Sequence, residues 1–243
     1  MSIYVETIDR ILADQVTPAL IEASEGGEAP AALMHALEEN GLFDLLVSED
    51  KGGIGASMID AVAIMRSVGA AAAPGPILES LIERTGLVGD EAYQCSALLN
   101  AARISGAIRW VFERTATYAT ERVQFGKPLG KQQAVQQMLA LLADHSLAAT
   151  AITDAAAARP SPRLIAAARA RLGEASDCAI EVGHQVHGAI GFTREYALNY
   201  RTRNLIAWRD QYGSVLEWKA SLAKMFVAST REGFWPAITE QSP

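Results

Sequence analysis

The chain has 243 residues, half of them apolar and a fifth charged, which suits one or two compact domains with a real core. Its formal charge of −7, with no basic stripe, argues against a phosphate-backbone partner and excludes nucleic-acid binding from the expectations. A small anionic ligand stays compatible, because one local arginine can hold it whatever the global charge.

In chain order the pattern is helical nearly throughout. Residues 4–24 read as helix, bent or divided at Pro18, which cannot donate a backbone hydrogen bond. "APAALMHALEENG" is a second helix with Gly41 placed to turn left-handed at its end. The glycines of "LFDLLVSEDKGGIGAS" mark a loop, and helices follow over 57–70 and 76–87. From about Tyr93 to Arg122 a long helix is predicted on Leu98, Ile104, Ile108, Val111 and Tyr118. Residues 131–158 form the next, on Val135, Met138, Leu139 and Leu142. A third starts at Ser161 and Pro162, a capping pair, and runs to about Val186. A short segment at 194–206 and a last helix from Ser214 to about Ser229 complete the set.

No period-two run stands out, so little or no β structure is expected. The fold class is therefore all-α: an N-terminal helical domain over residues 1–88, then an antiparallel four-helix bundle over 89–243. Cys95 and Cys178 lie far apart and outside any CxxC spacing, as buried free thiols would. The opening "MSIYVETIDR" lacks the order of a signal peptide, and no apolar run approaches the ~20 residues of a membrane span, so a cytoplasmic protein is expected. His184 and His187 are three apart, but no matching carboxylate or thiol cluster supports a metal site. "SEDKGGIG" lacks the Gly-Lys-Ser/Thr ending of a phosphate loop, and nothing pairs His35 or His145 with a nucleophile.

Two segments carry the chemistry. "ATERVQFGKPLGKQQAVQQMLA", residues 119–140, and "QVHGAIGFTREYAL", residues 185–198, resemble the two C-terminal-domain signatures of acyl-CoA dehydrogenases, in the same order. "ALEENGLFDLLVSEDKGGIGAS" and "APGPILESLI" are similar to N-terminal segments of that family. Members normally carry a β-barrel-like domain between the helical parts. Here "LESLIERTGLVGDEAYQCSALLNAARISGA" runs almost directly from one to the other, so the chain resembles a shortened member without the middle domain.

The resemblance implies FAD as cofactor and an acyl-CoA as substrate. In the family's dimers the adenosine-diphosphate end of the flavin crosses to the neighbouring subunit. Its arginine and glutamine contacts correspond to Arg122 and Gln185, with Phe125 packing at the interface and Gln133 close by. His187, Gly188 and Ala189 complete the second segment, Ala189 standing where the family has a second glycine. A guanidinium suits a diphosphate by charge-assisted hydrogen bonding, and an amide offers donor and acceptor together.

Taken by themselves the residues allow plainer readings. Arg122 can neutralise a helix C-terminus, Gln133 and Gln136 can edge a buried stripe, and Gln185 can bond between helices.

The family's usual catalytic Glu, nine residues beyond an arginine, falls here on Tyr212. A tyrosine of pKa near 10 costs roughly 4 kcal/mol to ionise at neutral pH, a poor general base. An alternative family position falls at or near Ala97, and Asp210 is the nearest carboxylate. Two readings follow. The chain is a base-lacking subunit of an acyl-CoA dehydrogenase, paired with a full-length relative or with itself as a homo-oligomer. Alternatively it is a non-catalytic structural or regulatory partner of such an enzyme.

Overall fold

The structure is a computed structural model that describes residues 3–124 and 126–227. The expected interface residue Phe125 and the end of the last helix, out to Ser229, lie outside the described residues.

Five short helices build the N-terminal layer. α1 (Ile3–Gln15) buries Val5, Ile8 and Leu12. Pro18 opens α2 (Pro18–Glu25) rather than bending one longer helix, and Thr17 caps it by accepting a hydrogen bond from Leu20 N at 3.2 Å. α3 (Ala31–Glu39) buries Leu33 and Leu37, and Gly41 beyond it takes φ +77°. α4 (Met58–Ala71) is capped by Ser57, and α5 (Ile77–Thr85) ends at Gly86 with φ +70°.

Three residues later begins α6 (Gly89–Glu121), 33 residues long. The periodic stripe predicts one buried face. In fact every residue from Cys95 to Ile108 is buried, because the N-terminal layer covers α6 on one side and the bundle on the other. A helix covered all round shows weak periodicity, so its centrality is invisible to a one-face pattern.

The layer meets α6 along α4, the most extensive helix–helix contact among the described residues. Gly69 lies against the Arg103 carbonyl and Gly106 against the Arg66 carbonyl, and a Cβ on either would overlap that oxygen. The absence of side chains lets the two backbones touch.

Beyond α6 a two-residue ladder, β1 (Val123–Gln124) with β2 (Lys127–Pro128), pairs Val123 with Pro128 and Gln124 with Lys127. This is the whole of the β structure among the described residues. α7 (Gln133–Ala158) and α8 (Pro162–His187) follow, Ser161 accepting from Leu164 N at 3.3 Å. A 3-10 turn at Gly188–Phe192 leads to α9 (Ala197–Arg209) and α10 (Val215–Val227). α6, α7 and α8 pack mutually, with α9 on α6 and α8, and α10 on α8. Cys95 and Cys178 are buried free thiols. Among the described residues no helix is long and apolar enough to cross a membrane.

Candidate functional site

The C-terminal end of α6 and the C-terminal end of α8 meet at one corner of the bundle. Arg122 is the residue after α6, its backbone extended (φ −77°, ψ 117°). That break turns the chain into the β1–β2 hairpin, and Leu129 N bonds back to the Arg122 carbonyl at 2.9 Å. The Arg122 side chain is thereby left exposed. Among the described residues it has no ion pair or side-chain hydrogen bond.

On α8, Gln185 is exposed while His187, two residues further on, is buried. His187 Nδ1 lies 2.8 Å from the Gly183 carbonyl. A carbonyl only accepts, so this nitrogen carries the proton in the neutral ring and Nε2 is a bare acceptor with no partner. The ring stacks on Tyr118 at 4.3 Å between centroids and meets Tyr196 at 5.3 Å. Gly188 then takes φ +64°, ψ −145°, a conformation that favours glycine although nothing would obstruct a Cβ there.

These residues surround a cavity of about 570 Å³ lined by Arg122, Gln185, His187, Gly188 and Ala189 over an apolar floor including Val135 and Met138. Gln133 is exposed and lies outside this lining. Its neighbour Gln132 takes the place, with an unpartnered, buried Nε2. Gln132 is the extended residue just before α7, turned toward the corner, whereas Gln133 is already in the helix. A helix start read from sequence is uncertain by more than that one residue.

The position of the family's catalytic base lies elsewhere, in the loop between α9 and α10. Tyr212 sits at φ +62°, and its hydroxyl lies 3.2 Å from Glu79 Oε1, which also accepts from Gln211 Nε2 at 3.0 Å. Burial and the Glu79 carboxylate push the Tyr212 hydroxyl up to about 12, further from a base than sequence alone suggests. Asp210 is committed to Arg209 at 3.0 Å, and Ala97 is fully buried.

Two buried arginines pin the loop. Arg169 donates to the carbonyls of Arg209, Gln211 and Gly213 at 2.9, 2.6 and 3.3 Å, and Arg103 donates to Gln211 Oε1 at 2.8 Å. Arg103 and Arg169 escape sequence reasoning because nothing local marks a buried cation inside a helix, and Glu79, an exposed carboxylate, is singled out only by the loop packed against it.

The corner has a pH signature. Burial pulls both His184 and His187 below the ordinary imidazole value. The unfolded chain takes up these protons below about pH 6.5 while the folded chain does not. Stability is therefore full above pH 6.5 and falls as the pH drops toward the depressed values. We expect a declining melting temperature between pH 6.5 and 5, and a flatter profile for His187→Phe. Identical slopes for both proteins would refute the assignment.

The fold defines a class: a layer of short helices docked on the central helix of a long-helix bundle, with a basic corner beside a glycine turn. The model of the acyl-CoA dehydrogenase N-terminal domain matches residues 2–94, and that of the acyl-CoA dehydrogenase C-terminal domain matches residues 91–207. The chain belongs to the acyl-CoA dehydrogenase family. The two matches meet without a gap, so no middle domain separates them.

Among curated relatives, the acyl-CoA dehydrogenase IpdE2 of Mycobacterium tuberculosis is 38% identical over 43% of this chain and 33% of its own length. The chain thus aligns with about a third of that relative. Among solved structures, a chain of the ChsE4-ChsE5 complex from Mycobacterium tuberculosis superposes with TM-score 0.80 at 14% identity, over 95% of this chain and 99% of that one. The Tcur3481-Tcur3483 steroid ACAD gives TM-score 0.82 at 15% identity, over 93% and 97%. At such identities the likeness is one of fold.

Proposed function

We propose that this chain is a subunit of an FAD-dependent acyl-CoA dehydrogenase, pairing with a full-length relative that carries the catalytic carboxylate and most of the flavin site. The observation that supports this reading is the convergence of Arg122, Gln185 and the 187–189 segment on one cavity, from parts of the chain some sixty residues apart. Arg122 would hold the diphosphate of the flavin by charge-assisted hydrogen bonds, and Gln185 would donate and accept beside it. Gly188 and Ala189 are exposed at the cavity wall, and no protein atom crowds the side-chain position of Gly188. FAD, when bound, supplies the acceptor for hydride from the β-carbon of the acyl group. This chain's own contribution is to grip and orient the far end of that cofactor.

Proton removal from the α-carbon is not assigned to this chain. Tyr212 stays protonated, Ala97 carries no titratable group and Asp210 is tied to Arg209. The same fact favours a second reading, a structural or regulatory partner whose corner cavity is left unused.

Co-purification separates the two. The chain purified alone is expected to be colourless, and the chain co-expressed with a full-length relative is expected to carry stoichiometric flavin absorbance and acyl-CoA oxidation. A yellow chain in isolation would refute the shared-site reading. An active complex whose flavin content is unchanged when this subunit is removed would favour the structural role.

A further inference from the structure

A second cavity, of about 210 Å³, opens where α2, the α4–α5 connection, α6 and α9 meet. Its walls include Ser24, Ala72, Ala73, Asn204 and Trp208, and one cation, Arg103, reaches it from the buried stretch of α6.

Arg103 is only 5% exposed. Its Nε and Nη2 donate to Asn100 Oδ1 at 3.2 and 2.7 Å, Nη2 also reaches Gln211 Oε1 at 2.8 Å, and the guanidinium lies 4.2 Å above the Trp208 ring. All of these partners are neutral. Among the described residues no carboxylate forms an ion pair with Arg103. Glu79 acts on it from further away, is engaged by Gln211 and Tyr212, and does not line the cavity. Glu25 does line it, but its charge is met by Arg203 at 2.6 Å.

A buried guanidinium is stripped of water, and burial pulls Arg103 down to about 10. Neutral acceptors and an aromatic face recover part of the lost solvation. They also fix the group in one orientation, and among the described residues Nη1 makes no hydrogen bond to the protein. The wall at Ala72 is itself unusual, a non-glycine residue at φ +57°.

We infer that this cavity takes the carboxylate of a short aliphatic acid, bound by the Nη1 edge of Arg103 with Ser24 and Asn204 as neutral hydrogen-bonding neighbours. The apolar side of the cavity, Ala72 and Ala73, suits a stem of two or three carbons. A sulfate or phosphate has no such stem to place against Ala72 and Ala73. The inference is independent of the flavin reading and needs no flavin to test.

The full chain is titrated calorimetrically with succinate, succinamide and sulfate at matched ionic strength. Succinate is expected to bind with one site and to raise the melting temperature, with succinamide and sulfate at least tenfold weaker. Arg103→Gln is expected to abolish the response. Asn204→Leu leaves the Arg103 hydrogen bonds in place and fills the cavity mouth, so it is expected to abolish the response even where the first variant folds poorly. Absence of succinate binding overturns the inference. So does an equal response to sulfate or succinamide, or succinate binding that survives Asn204→Leu.

Discussion

Replacing Gly106 by alanine is expected to destabilise the chain by roughly 3 kcal/mol, seen as a lower denaturation midpoint with an unchanged slope. The new methyl group would overlap the Arg66 carbonyl oxygen, which belongs to the rigid backbone of α4 and cannot swing aside. Alanine's better helix propensity returns at most about 1 kcal/mol. The remainder must be absorbed by separating α4 from α6, and that separation loosens the contacts on which the N-terminal layer rests. Domains of this size have only about 5–15 kcal/mol in hand, so the loss is large. Gly69→Ala should behave alike, because its Cβ would meet the Arg103 carbonyl across the same crossing. A variant as stable as the parent would mean that the two helices do not touch there.

Arg122→Ala is expected to act in the opposite manner, harmless to the isolated chain and severe in the complex. The side chain is exposed and without a protein partner among the described residues, so its removal should change folding stability by less than about 0.5 kcal/mol. A charge-assisted hydrogen bond to a diphosphate is worth about 1.5–3 kcal/mol, so flavin should dissociate roughly 10- to 150-fold more readily from the co-expressed complex. Arg122→Lys should recover part of the loss, since it keeps the charge but not the planar fork. Both are read as flavin retained per complex after gel filtration. Equal retention by Arg122→Ala and the parent would remove Arg122 from the site.

The helices were legible in the sequence where their ends carry chemistry: Pro18, Gly41, Ser161 and Pro162 mark boundaries that the structure keeps. The stretch of α6 around Ala101 and Ala107 was harder, since a helix enclosed on every side has no polar face to set its phase. In the corner cavity, Arg122, Gln185, His187, Gly188 and Ala189 share one lining, and Gln132 rather than Gln133 belongs to it. A one-residue shift at a helix start rotates a side chain by about 100°, finer than any propensity resolves. Glu79, Arg103 and Arg169 were not legible at all. Each is a charged residue in a helical pattern, and only the packing of the 209–213 loop buries the two arginines and engages the Glu79 carboxylate.

The three-residue step from α5 to α6 carries a consequence for how such a chain can arise. An entire domain can be excised at that point without leaving a hinge, because α4, the helix before α5, already adheres to α6 through bare backbone at Gly69 and Gly106. On the reading proposed above, the two helical parts would dock beside a full-length relative as one block. Any opening and closing around a substrate would then fall to that relative.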